Sequence, residues 1–106
     1  MTALAPRVDI IDSALTVSGD VDAGTVMALR QQGEKLINTV NADLIVDLGS
    51  LRTAHSVVLS LLLCWQRLAN RRGLSLSYRG VSERLASLAA LSNLDDQLSG
   101  FSSVST

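Results

Sequence analysis

The run VVLSLLLCW, residues 57–65, sets the strictest condition on any fold that this chain can adopt. Its nine nearly all-apolar residues fall far short of the roughly 20 that cross a bilayer. They are nevertheless too oily for a helix that buries one narrow stripe. The run therefore belongs in a protein core, on a helix with a broad buried side. On a helical wheel, Val58, Leu61, Leu62, Trp65, Leu68 and Ala69 share the face expected to pack on a sheet. Ser56, Ser60, Gln66, Arg67, Asn70 and Arg71 take the opposite face, and Leu59 and Leu63 fall among them. The wheel thus predicts two exposed leucines one turn apart, a small apolar patch of the kind found at protein contacts.

The rest of the chain supplies the sheet. Residues 7–19, RVDIIDSALTVSG, place Val8 and Ile10, then Leu15 and Val17, on either side of Asp12-Ser13, as two antiparallel strands around a tight turn would. Val26, Leu29, Gly33, Leu36, Ile37 and Val40 recur at helical spacing, with Asp22 as the expected N-cap and Asn41 as the stop. DLIVDL, residues 43–48, is a short apolar run suited to a central strand covered on both faces. The oily helix runs from about Ser56 to Arg72 and stops at Gly73, with Arg71 and Arg72 complementing its C-terminal dipole. LSLSY, residues 74–78, alternates as a fourth strand, and Ser82 caps a last helix bearing Leu85, Leu88, Ala89 and Ser92 on one face. The order β-β-α-β-α-β-α predicts an α/β fold: a β-hairpin followed by βαβα units, with helices packed on a mixed, mostly parallel sheet. Its 106 residues suit one domain over 1–106, with an ordered core about 7–94 and a polar tail about 95–106 that frays.

Charge and chemistry narrow the function by exclusion. Nine Lys and Arg against ten Asp and Glu, scattered along the chain, form no basic stripe for nucleic acid. One cysteine and one histidine can build neither a disulfide framework nor the usual zinc set, and Cys64 reads as a packing residue. No basic segment followed by an apolar stretch opens the chain, so it reads as cytoplasmic, with no direct membrane insertion. His55 and Ser56 are adjacent and lack the glycines of a nucleophile elbow, so no catalytic role is expected for them. Asp47 sits at an expected strand end, where a loop-capping role suffices, and Gly19 and Gly73 do not have phosphate-loop spacing. No metal, cofactor or enzymatic activity is predicted. Ser56 reads as a helix N-cap whose hydroxyl accepts from the Val58 or Leu59 N–H, a position that would also welcome a phosphate.

LTVSGDVDAGTV, residues 15–26, and IVDLGSLRTAHSVVLSLLL, residues 45–63, together with the order of elements, resemble the STAS domain family over nearly the whole chain. In that resemblance Asp20 stands for the family's Glu, Asp22 matches its Asp, and Asp47 and Leu48 match while Gly49 takes a Ser position. Ser56 falls on the phosphoacceptor hydroxyl, His55 replaces an acidic residue, and Val57 and Val58 stand where small residues or Gly are usual. These departures argue against a regulated phosphorylation cycle and leave the docking surface intact. Short single-domain members with an oily second helix are most similar to the STAS subunits of Mla phospholipid transporters. The resemblance therefore implies a non-enzymatic subunit, peripheral to the inner membrane, bound to an ABC transporter ATPase and through it to permease and substrate-binding subunits. The expected contact comprises Thr53, His55, Ser56, Leu59 and Leu63. The alternative is an anti-sigma factor antagonist that switches partners when Ser56 is phosphorylated.

Overall fold

The computed structural model describes residues 5–53, 55–92 and Leu98. Strands β1 (Arg7–Ile11) and β2 (Ala14–Gly19) form the expected hairpin. Its two turn residues, Asp12 and Ser13, have φ of 51° and 65°. Left-handed backbone at both positions matches the twist of the flanking strands, and a short polar side chain such as that of Asp tolerates it. Helix α1 (Val26–Thr39), β3 (Leu44–Leu51), α2 (Ser56–Arg71), β4 (Leu76–Arg79) and α3 (Glu83–Leu91) follow. The sheet order is β1-β2-β3-β4, antiparallel across the hairpin and parallel from β2 to β4, which makes β3 an interior strand.

Register decides which side of the sheet holds the core. Val8 pairs with Val17, Leu15 with Val46, Val46 with Tyr78 and Leu44 with Leu76, and all of these side chains are buried. The helices cover this face. The expectation that β3 is covered on both faces fails. The other face carries the row Asp9, Thr16, Asp47, Arg79 and beside it Ile11, Ala14, Ile45, Ser77. On that side Ile45 is 41% exposed and Ile11 53%. Alternation was hidden in DLIVDL because Ile45, on the open face, is as apolar as its buried neighbours.

The seam between α1 and α2 is the tightest fit in the chain. A Cβ at Gly33 would lie 2.2 Å from the Trp65 ring, so only glycine lets the indole lie against α1. Trp65 is fully buried, and its Nε1–H donates to the Arg30 carbonyl at 3.1 Å. At the other end of α1 the guanidinium of Arg72 donates to the carbonyls of Ile37 and Val40, satisfying acceptors that a helix end leaves free. Arg72 thus caps the neighbouring helix, a role beyond the dipole complement expected for it. α2 itself closes with Leu74 N–H on Ala69 O and Gly73 N–H on Asn70 O, with Gly73 at φ 75°. This is a Schellman ending. Ser82 caps α3 as expected, accepting from Leu85 N–H at 3.1 Å. The expected fraying tail lies outside the described residues except for Leu98, which is fully buried in the core. Among the described residues no helix is long and apolar enough to cross a membrane.

Candidate partner-binding surface

Strands β2 and β3 run parallel, so the loops after them leave the same edge of the sheet. The two loops are fastened to each other. Arg52 N–H donates to Gly19 O at 2.8 Å and Val21 N–H donates to Thr53 Oγ1 at 3.0 Å, while the Arg52 guanidinium lies 3.9 Å from Asp20. Asp22 Oδ1 accepts from the backbone of Gly24 and Thr25, and Thr25 Oγ1 accepts from Asp22 N–H. Asp22 therefore heads a separate turn; Thr25 is the N-cap of α1, one short turn later than expected. The outcome is a braced edge from which α2 starts.

His55 and Ser56 stand exposed at that start. The N-cap is His55, whose extended backbone (φ −118°, ψ 160°) presents its carbonyl to Val58 N–H at 2.9 Å without a side-chain cap. Ser56, expected to be the cap, is instead the first helical residue, one position past it, so its hydroxyl is not committed to a capping bond. Its side chain is open to solvent, as a phosphoacceptor or a contact residue requires.

Of the five residues expected to form the contact, His55 and Ser56 are on the surface, Thr53 and Leu63 are half-buried, and Leu59 is 2% exposed. Leu59 is a core residue, which removes it from the surface and corrects the expectation of two exposed leucines. The expected buried arc suited a helix lying on a sheet alone. α2 also packs against α1 on one flank and α3 on the other. Two turns beyond Leu59 and on the same side, Gln66 Oε1 accepts from the Tyr78 hydroxyl at 3.1 Å, so that flank turns inward. Leu63 packs partly against the core. Thr53, expected only as a contact residue, braces the β2 loop. What remains open along α2 is the stripe Ser56, Ser60, Arg67, Asn70 and Arg71.

Asp47 lies within β3 and not at its end. A bulge opposite Val17 sets Leu48 and Gly49 against one residue of β2, and there Asp47 Oδ1 accepts from Gly49 N–H at 2.9 Å. Its Oδ2 lies 3.1 Å from the Arg79 guanidinium. The Gly49 N–H, and behind it Arg79, hold the Asp47 carboxyl below its ordinary range against the opposing effect of partial burial. Gly80, at φ 70°, backs onto Gly49 so closely that a Cβ there would lie 2.6 Å from the Gly49 nitrogen. The whole arrangement braces the open sheet face. A hollow of about 220 Å³ beside α1, lined by Pro6, Gly24, Thr25, Ala28, Leu29 and Gln32, is smaller than the roughly 300–1,000 Å³ of typical ligand pockets. Its Thr25 is already bonded to Asp22.

Comparison with known proteins agrees with this geometry. The family model described as Mlab, STAS domain matches residues 6–100, and the chain belongs to this family. A solved anti-sigma factor antagonist from Mycobacterium paratuberculosis is similar at 26% identity and a TM-score of 0.62, over 90% of this chain and 82% of that one. The hairpin, the parallel strands and the three helices are thus a STAS fold. No curated protein matches the chain.

Proposed function

We propose that this chain is a non-enzymatic accessory subunit that binds the ATPase of an ABC-type phospholipid transport complex and supports its activity in maintaining outer-membrane lipid asymmetry. The observation that carries the reading is the match of residues 6–100 to the Mlab-type STAS family. The braced edge that presents His55 and Ser56 supports it, because a preformed surface loses little entropy on docking. On this reading the protein is cytoplasmic and is held at the inner membrane by its complex. It acts through differential affinity for one conformation of the ATPase, which bounds what it can contribute. The test is affinity purification from the membrane extract of its own cells with identification by mass spectrometry. An ABC ATPase recovered with its permease and substrate-binding subunit is expected; a serine kinase or sigma regulator in their place overturns the reading.

A second reading has its own support. The similar solved structure is that of an anti-sigma factor antagonist, and Ser56 is exposed at the helix start. On that reading, phosphorylation of Ser56 releases a bound kinase. His55 and the valines after Ser56 favour the first reading. A phosphate on Ser56 after incubation with a kinase from the same cells, accompanied by loss of binding in Ser56→Asp but not in Ser56→Ala, would favour the second.

A further inference from the structure

Helix α2 contains Arg67, Arg71 and, at its C-cap, Arg72, and not one Asp or Glu. Arg72 is engaged with α1. The other ion pairs are Arg7–Asp9, Arg30–Glu34, Arg52–Asp20 and Arg79–Asp47, so Arg67 and Arg71 have no acidic partner among the described residues. They are also one turn apart, an i,i+4 pair of like charges, which destabilises a helix. Ser56, Ser60, Arg67 and Arg71 fall within about 60° of one another around the axis, so the arginines lie in line with the exposed hydroxyls at the helix start.

We propose that this stripe docks an acidic protein surface, with uncharged groups over Ser56 and Ser60 and carboxylates over Arg67 and Arg71. The inference rests on the functional reading above and assigns that acidic surface to the ATPase subunit. Two guanidinium groups spaced by one turn suit carboxylates, which they bind through paired N–H donors. An anionic membrane is a poorer match. A membrane-surface helix lays its apolar face in the lipid, and here that face, with Val58, Leu61, Leu62 and Trp65, is sealed in the core.

The test is equilibrium binding of the full chain to the purified ATPase subunit at low and high salt. Arg67→Gln/Arg71→Gln is expected to bind on the order of tenfold more weakly and to lose most of the salt dependence. Its melting temperature should stay close to that of wild type, because the dipole interaction lost with Arg71 and the relieved like-charge pair offset each other, so weaker binding cannot be put down to unfolding. Arg67→Lys/Arg71→Lys keeps the charge and loses the paired donors, so it should bind more weakly than wild type but keep the salt dependence; a Lys variant that loses the salt dependence as the Gln variant does would show that charge is not what the partner reads, and would overturn the proposal. Unchanged affinity in the Gln variant overturns the proposal while the functional reading stands. A wild-type chain that does not bind the ATPase at all overturns both. Co-sedimentation of wild type, but not the Gln variant, with phosphatidylglycerol vesicles would make lipid the ligand and overturn it as well.

Discussion

On its inner side α2 meets α1 where the Trp65 ring leaves no room for one methyl group on Gly33. On its outer side the side chains of Ser56, Ser60, Arg67 and Arg71 form no hydrogen bond or ion pair with any other element among the described residues. One helix therefore holds two sets of residues under opposite constraints. Inside, shape is fixed to within an ångström and almost any change destabilises. Outside, the fold tolerates nearly anything, so the identity of those residues is free to be set by a partner. The difference teaches where to look for function in a small binding domain: at exposed residues on a rigid element, beside a loop held by bonds such as Val21 N–H to Thr53.

The comparison breaks most visibly at Leu59, which sequence periodicity had put on the outer set. Leu59→Asp places a carboxylate without a partner in the core, and a loss of about 4 kcal/mol or more is expected. Circular dichroism should show no cooperative melt. A Leu59→Asp protein that melts like wild type would return Leu59 to the docking surface. Leu63→Asp, at a half-buried position, should fall between this and the exposed sites.

At the seam, Trp65→Ala should cost about 3–5 kcal/mol by opening a large cavity. Gly33→Ala should cost about 1–3 kcal/mol by overpacking, despite the better helix propensity of alanine. The sharper experiment combines them. In a Trp65→Leu background the ring that the new methyl group strikes is gone, so Gly33→Ala should become neutral or stabilising. Two costs that simply add would show that the close approach is not what fixes glycine at this position.

Much of the fold was readable because its signals are local. Asp12-Ser13 between two alternating runs marks the hairpin, Ser82 marks a cap, and Gly73 marks a helix end. The features that were missed depend on contacts between residues distant in the sequence. Gly33 stood out only as one member of a helical pattern; its reason is an indole that arrives on another helix. Arg72 read as a dipole complement because its own helix was in view, whereas its acceptors belong to α1. The site was readable in position, through Ser56 and His55, but not in extent. Which flank of α2 is open depends on where α1 and α3 lie, and no wheel contains that. Arg67 and Arg71 were seen as polar, while their lack of acidic partners emerges only once the ion pairs of the fold are known.

Arg72→Ala tests the contact that crosses from one helix to the other. It removes a charged donor from two carbonyls at the end of α1, and a loss of about 1.5 kcal/mol is expected by chemical denaturation. Arg71→Ala, one residue away on the open side, should change stability by less than about 0.5 kcal/mol. Equal losses would erase the distinction between the two sides of the helix end.

A weaker effect belongs to the open sheet face. The Asp47 carboxyl is held below its ordinary value in the folded chain, chiefly by Gly49 N–H. Its contribution is therefore complete above the unfolded pKa of about 4 and is lost as the pH falls through the folded value. The pair with Arg79 is partly exposed, so that contribution is about 1 kcal/mol or less. Asp47→Asn should remove this part of the acid sensitivity from a series of melts between neutral pH and pH ~3. An unchanged acid limb would mean that Asp47 does not contribute through its charge.

The smallest expected effect on stability is the one that bears most on function. Ser56→Ala should shift stability by less than about 0.5 kcal/mol, since the hydroxyl is exposed and caps nothing. Ser56→Asp should be neutral or raise stability by about 0.3–1 kcal/mol, because a carboxylate in the first turn meets the positive end of the helix dipole. Stability and binding are then expected to part company at this residue. If Ser56→Asp melts as high as wild type and no longer binds the ATPase, the loss belongs to the interface alone, and added negative charge at the helix start is what the partner rejects. If both variants bind as wild type does, the contact lies elsewhere on the surface. Arg67 and Arg71 would then be read without Ser56, and the docking face would shift towards the C-terminal half of α2.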